Sequence, residues 1–458
     1  MPTGIMAVIF LLPSNFIMKT STIKPFFLLP LILLISSCES YIGGDINQDP
    51  NNPTSVPITA QTPAIQIALA DLYGGEFSRL NCSLTQQVDG VARSWASYYT
   101  YFGLTPNRFD NAWQSIYENI LNELKIARKT ATDQGYNHYI GILDIMEAFT
   151  LMIATDVWDD MPYTEALQGI ENINPAYDTQ ASIYTAIHNY LDNGIALLSG
   201  SAGGLVPGSE DVFYSGDKEA WIRAARAIRA RAFLHFAEYN KALEEAQASF
   251  SEPEDNMGFQ YPDANAAGQW YRFNRDRTGD IEFGYSMRNL MLELNDSARL
   301  AIMDQTFITD HPYLVADFFQ ELITYREMQF IIAEADVRAN PGGTPTGYDA
   351  YLAGISASFE RLGLEETAYE AYITQPEINP GVGNLTLDQV MTQKYTALLL
   401  QPEVYSDWRR TEVPSLTPTS GTQIPVRWHY SSTEYLFNSS APAEGEVDIF
   451  NDRVGWNR

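Results

Sequence analysis

Cysteine is almost missing from this chain of 458 residues, which has only Cys38 and Cys82. No framework of disulfides can hold the fold, so its stability has to come from a packed core. Positive charge is scarce as well: 28 lysines and arginines stand against 57 acidic residues, for a formal charge of −29. Such a surface repels phosphate backbones, which excludes nucleic acid as a partner, and it offers no basic patch to anionic lipid. Beyond residue 40 there is no apolar run of the roughly 18 residues or more that mark a spanning helix. The five histidines, His138, His188, His235, His311 and His429, are scattered, with none in a metal-ligand spacing. A nucleophile elbow, a P-loop and a dinucleotide-binding glycine turn are all lacking. No catalytic residue, metal or cofactor is expected.

What is present starts with the leader. Lys19 and Lys24 precede an almost unbroken apolar run from Phe26 to Ile35, and Ser36-Ser37-Cys38 follows at once. This is the layout of a secretory signal, with Met18 as the natural start and Met1 to Ile17 as an upstream extension. The run is too short for a transmembrane anchor, which needs about 20 apolar residues. Leu34 to Cys38 is similar to a bacterial lipobox, so residues 1–37 read as a signal peptide and Cys38 as the lipidated residue. Each buried acyl methylene adds about 0.8 kcal/mol of membrane affinity, so several chains on one cysteine anchor firmly. Residues 38–60, rich in Gly, Pro, Asn and Asp, read as a tether. Asp45, Asn47 and Asp49 mimic half of a calcium loop, but Pro50 stands where glycine is needed and no glutamate closes it at Val56.

Residues 61–458 read as a mainly α domain. Thr62-Pro63 looks like a helix start, and Trp113, Ile116, Tyr117, Ile120, Leu121 and Leu124 keep i, i+3, i+4 spacing over three turns. Further helices are expected over 139–157, 181–198, 218–239, 324–339 and 386–400, the last with Thr386 and Gln389 as a capping box. Paired helices of this size suggest tetratricopeptide-like stacking, although no clean 34-residue period is present. The segments 200–217, 251–285 and 402–458 read as irregular loops, and long ordered loops are usually functional.

Two aromatic windows stand out within that frame. One holds Trp95, Tyr98, Tyr99, Tyr101 and Phe102; the other holds Trp270, Tyr271, Arg272, Phe273 and Asn274. Flat rings stack on the apolar faces of sugars, while Tyr, Asn and Arg satisfy ring hydroxyls. Peptides and other amphipathic solutes suit the same surface, and some rings, Phe102 and Phe273 first, are equally readable as core plugs. Asp156, Asp159 and Asp160 invite comparison with a glycosidase carboxylate pair, but an acidic turn ended by Pro162 explains them better. Arg223, Arg226, Arg229 and Arg231 form a stripe expected to pair with carboxylates on neighbouring helices.

Several segments together resemble the SusD/RagB family of outer-membrane nutrient-binding lipoproteins. They are Asp45 to Thr54, Asp156 to Gly169 (with Asp159 where that family usually has glycine), Trp221 to Phe236, Leu294 to Leu300, Tyr325 to Ala339, Tyr405 to Leu416 and Ile424 to Asn438. The resemblance implies a helical scaffold with tetratricopeptide-like pairs and a loop-rich ligand-binding subdomain. It also implies a non-enzymatic, cell-surface lipoprotein of the outer membrane. Such a protein captures oligosaccharide or a similar solute and acts as a lid for a TonB-dependent, SusC-like transporter barrel. Ligand contacts are then expected around Trp95, Tyr98, Tyr99, Tyr101, Trp270, Tyr271, Arg272 and Asn274. Two rivals come from other classes: a surface-anchored glycoside hydrolase, and a helical-repeat adaptor that binds only proteins.

Overall fold

The computed structural model describes residues 56–305 and 311–458; the leader, Cys38 and most of the tether lie outside them. Helix α1 (Ile58–Leu72) starts a turn earlier than Thr62-Pro63 suggests, with Pro63 inside it. One main-chain bond is lost there, while the Thr62 hydroxyl donates to the carbonyl of Ile58 at 3.0 Å. A π-helical turn over Tyr73–Phe77 leads to α2 (Ser78–Leu84), followed by strand β1 (Val88–Gly90) and α3 (Arg93–Tyr99). The amphipathic stretch around Trp113 becomes α4 (Asp110–Gln114), a π segment over Ser115–Leu121, and α5 (Asn122–Gln134). Gly135, at a φ of 70°, caps α5 in the left-handed conformation.

Next comes the apolar helix α6 (Asn137–Trp158), 22 residues long and buried on nearly every side. The antiparallel β2 (Met161–Pro162) and β3 (Tyr177–Asp178) connect it to α7 (Gln180–Ser199). Residues 218–239 read as one helix but form α8 (Lys218–His235) and the start of α9 (Tyr239–Gln247). Ala237 adopts a φ of 56° between them and turns the chain. Strand β4 (Met257–Gln260), α10 (Gln269–Asp276), β5 (Ile281–Phe283), α11 (Tyr285–Glu293), α12 (Ser297–Met303) and β6 (Phe319–Ile323) follow. The strands pair antiparallel, β1 with β5 and β4 with β6. The C-terminal part contains α13 (Tyr325–Ala339), α14 (Pro345–Arg361), α15 (Glu366–Tyr372), α16 (Leu387–Ala397), α17 (Val404–Thr411) and α18 (Ser432–Phe437). The Thr386–Gln389 capping box forms as read from the sequence.

The helices stack in pairs: α6 on α7, α8 on α9, and α13 on α14, with α9 against α13. Glycine sets the approach of α6 to α7. A Cβ on Gly194 would lie 3.0 Å from the carbonyl oxygen of Gly141, and one on Gly141 would lie 3.1 Å from that of Gly194. The arginine stripe of α8 pairs inward and sideways, as expected. Arg223 meets Asp255 at 2.9 Å, Arg226 meets Glu245 at 3.2 Å, and buried Arg231 grips both oxygens of Glu327 at 2.7 and 2.6 Å. Bidentate pairing with a carboxylate is what allows a guanidinium this deep.

The main core runs through the stacked pairs, and a second, smaller core lies beneath the β1–β5 ladder. The C-terminal segment is fastened to the main one by aromatic edges. Trp428 meets Trp158 at 5.5 Å and 85°, and the Trp158 indole N–H donates to the carbonyl of His429 at 2.9 Å. Such ring pairs add about 0.5–1.5 kcal/mol beyond the area they bury.

Candidate functional site

The β1–β5 ladder pairs Val88 with Phe283 and Gly90 with Ile281, and so brings the two aromatic windows together. They touch where the rings of Trp95 and Phe273 meet edge to face at 5.5 Å. The two tryptophans are not free platforms. Trp95 is 5% exposed and Trp270 2%, both within the second core, and the Trp270 indole donates to the Ser78 hydroxyl at 2.8 Å. Indoles in these windows have more apolar area to bury than any neighbouring side chain, and the ladder provides the interior that takes them.

Over this floor lies a layer of cations and rings. The Arg108 guanidinium sits 4.7 Å from the Tyr98 ring and 5.3 Å from that of Trp95, and Arg79 sits 4.9 Å from Phe273. Glu76 bridges the two arginines, at 2.6 Å from Arg108 and 3.4 Å from Arg79. Burial alone would raise the Glu76 carboxyl; Arg108 and then Arg79 outweigh it and hold it below the usual range. Tyr98, Tyr99, Tyr271, Arg272 and Asn274 are half-buried, and Arg272 faces Asp71 at 3.4 Å. Burial and a hydrogen bond to Asp89 push the Tyr99 phenol upward, so it stays a neutral donor.

The free ring is Phe102, which reads as a core plug from the sequence and is 89% exposed in the structure. The α3 helix ends just before it, and Tyr101 at a φ of 65° turns the chain so that Tyr101 goes inward and Phe102 outward. Buried Tyr101 packs on Phe450 at 6.1 Å, and its hydroxyl accepts from the Thr419 N–H at 3.2 Å. This holds residues 419–423 beside the turn. A cavity of about 460 Å³ opens there, lined by Phe102, Thr100, Thr422, Gln423, Asp448 and Asn451 among others. Asn451 is shared with a second cavity of about 540 Å³, which adds Asp160, Arg427, Asp452 and Arg453. A hydrogen bond from the Asn451 amide at 2.7 Å, followed by one from the Phe450 N–H, holds Asp448 below the usual carboxylate range. The groove therefore combines one exposed ring with hydroxyls, amides and charged ends, a composition suited to a polyhydroxylated solute.

The aspartates read as a possible glycosidase pair have other roles. Asp159 has a φ of 71°, which explains why glycine suits that position. Its carboxylate accepts from the Gly455 N–H at 2.7 Å and pairs with Arg458. Asp156 belongs to a buried cluster with His235 and Glu403 that no sequence spacing betrays. Two facing sides of one imidazole serve the two acids: Nε2 lies 2.7 Å from Glu403, and Nδ1 lies 2.8 Å from the Tyr184 hydroxyl and 3.4 Å from Asp156. Desolvation opposes charge on His235, but Asp156 and Glu403 raise it to about 9, so an imidazolium donates both ways.

A polar groove with a free ring is thus mounted on stacked helical pairs. The sequence profile described as starch-binding and associating with the outer membrane, SusD-like, matches residues 50–311 and 308–431. The chain belongs to that SusD-like family. Its fold is similar to that of a SusD/RagB family protein from Bacteroides thetaiotaomicron, with a TM-score of 0.71, 20% identity, and coverage of 88% of this chain and 99% of the other. It is equally similar to a chitin-binding protein, with a TM-score of 0.72, 21% identity, and coverage of 88% and 100%. A chitin-binding SusD homologue from Flavobacterium johnsoniae gives 0.69 and 20%, with coverage of 88% and 98%. At these identities the likeness is one of fold. Among curated proteins no sequence match is found.

Proposed function

We propose that this protein captures an oligosaccharide at the cell surface and delivers it to a TonB-dependent, SusC-like transporter barrel, over which it acts as a lid. Lipid on Cys38 anchors it to the outer membrane in this reading. The observation that carries the capture step is Phe102, a ring left 89% exposed at the mouth of a cavity rich in hydroxyl and amide groups. Leaving so large an apolar face in water costs free energy that stacking on a sugar would recover. Tyr98, Tyr99, Tyr271, Arg272 and Asn274 stand half-buried in the two windows, whose Trp95 and Trp270 are buried, and buried Tyr101 holds the turn that presents Phe102. Binding needs no bond-making step; of the aspartates a hydrolase would use, Asp159 holds the C-terminal tail, Asp156 faces His235, and Asp160 accepts from the Gln180 N–H at 2.8 Å.

Calorimetry with starch-derived and chitin-derived oligosaccharides tests this reading. One of them binds the wild type, and Phe102→Ala weakens it at least tenfold, about 1.4 kcal/mol. Hydrolysis of the bound sugar would favour the anchored glycosidase instead. No binding of any sugar or peptide, with Phe102→Ala silent, would favour the protein-only adaptor.

A further inference from the structure

A cavity of about 410 Å³ shares no lining residue with the groove at Phe102. Trp113 of α4 and Tyr117 of the π segment form one wall, Pro162 and Leu167 a second, and Glu434 of α18 a third. The Trp113 and Tyr117 rings lie 4.9 Å apart at 41°, and the Tyr117 hydroxyl donates to the carbonyl of Pro162 at 2.6 Å. Tyr430 joins this group, its ring 5.9 Å from Trp113 and 5.2 Å from Tyr177. Ser431 and Ser432 donate to Asp110 at 2.8 Å and fix the start of α18, so Glu434 is held against the rings.

Glu434 stands there without a cation. The buried glutamates Glu321, Glu327 and Glu334 each face an arginine. Glu434, and Asp110 and Glu118 of the same lining, form no ion pair among the described residues. Burial raises the Glu434 carboxyl above its ordinary value; donation from the Asn438 amide, the Tyr177 hydroxyl and the Trp113 indole does not make up for it. The cations of this region are engaged elsewhere. Lys125 donates to the carbonyl of Leu167 at 2.6 Å and, with Arg128, lines the neighbouring cavity of about 450 Å³. Arg128 pairs with Asp144 and Glu147. Arg427 donates to the main chain of Trp158 and Trp428 and, with Arg453 and Arg458, lines the cavity of about 540 Å³. None of these five lines the cavity at Glu434.

This arrangement selects its occupant. Ring faces carry negative potential that attracts an ammonium group, and a carboxylate beside them supplies the countercharge. An anion would meet three carboxylates, and a calcium or magnesium ion would meet aromatic walls where it needs oxygens. A neutral solute would leave Glu434 as poorly compensated as before.

We propose that this cavity is a second ligand site, for the ammonium group of a small organic cation, with Glu434 as counter-ion and Trp113 and Tyr117 as aromatic walls. It is independent of solute capture at Phe102.

Calorimetry on the purified protein at constant ionic strength tests the site with methylammonium and choline. Sodium and the neutral carbon isostere of choline are the controls. One of the two ammonium ions is expected to bind, and neither control. Glu434→Gln, which keeps the shape, is expected to weaken binding about tenfold. Tyr117→Leu is expected to weaken it about threefold, while Tyr117→Phe, which keeps the ring, stays close to wild type. Binding should tighten as pH rises from about 4 to about 7, because Glu434 gives up its proton, and far less so in Glu434→Gln. No binding of either ion, equal binding of a control, or unchanged affinity in Glu434→Gln would overturn the site.

Discussion

Trp456 lies flat on His235, with ring centroids 4.9 Å apart and planes 26° from parallel, and its indole N–H donates to Asp156 at 2.8 Å. The last residues of the chain thereby close a charged cluster that would otherwise open to solvent. Gly455 and Trp456 donate from their backbone to Asp159 and Gln180 at 2.7 and 2.8 Å, and the Arg409 guanidinium lies 4.8 Å from the Trp456 ring.

Stability should depend on the charge of His235. Its folded value of about 9 lies above the ordinary 6.5, so its contribution is complete below pH 6.5 and disappears as pH rises towards 9. The shift corresponds to roughly 3 kcal/mol. Glu403 acts in the opposite direction: burial would raise it, but Arg231 and then His235 hold it at about 2, so its contribution disappears as pH falls from 4.5 towards 2. Urea denaturation across pH is expected to show a plateau between about 4.5 and 6.5 with a fall on the alkaline side. In His235→Gln that alkaline fall should flatten; an unchanged profile would remove His235 from the account.

The windows should separate support from contact. Trp95→Ala empties part of the second core and is expected to cost about 3–5 kcal/mol in chemical denaturation. Phe102→Ala is expected to leave stability within about 0.5 kcal/mol while ligand affinity falls. Equal loss of stability in both variants would contradict this division.

The glycine contact between α6 and α7 should tolerate no Cβ. Gly194→Ala puts a methyl 2.9 Å from Ile145 Cγ1 as well as 3.0 Å from the Gly141 oxygen. Overpacking of this kind costs about 1–3 kcal/mol, measurable as a lower melting temperature.

Asp159→Gly should have mixed effects. It relieves a positive φ that glycine adopts freely, but it removes the acceptor that holds Gly455 and Arg458. Global stability is expected to change by no more than about 1 kcal/mol. Hydrogen exchange at Gly455 and Trp456 should nevertheless quicken clearly.

Most of the scaffold was legible because its signals are local. The amphipathic run around Trp113, the capping box at Thr386 and the apolar length of α6 each declare a helix within a few turns. Helix α14 was not legible: Gly347 and Gly354 dilute its pattern, and both are small because Asp336 and Phe330 of α13 press against them. The break at Ala237 rests on a backbone angle that no residue preference announces. For the site, the two windows were visible as composition, but their meeting depends on a pairing across nearly 200 residues. Phe102 and Trp95 exchange the expected roles because Tyr101 reverses the chain between them, which periodicity does not register. The His235 cluster joins positions 156, 235 and 403, too far apart for any motif.

The three-residue ladder of β1 and β5 has a consequence for how such a molecule can change over time. The two aromatic windows have a small interior of their own around Trp95 and Trp270, separate from the one that aligns the helices and carries Tyr101 of the Phe102 turn. Substitutions in the first can therefore reshape the surface of the windows without shifting the stack.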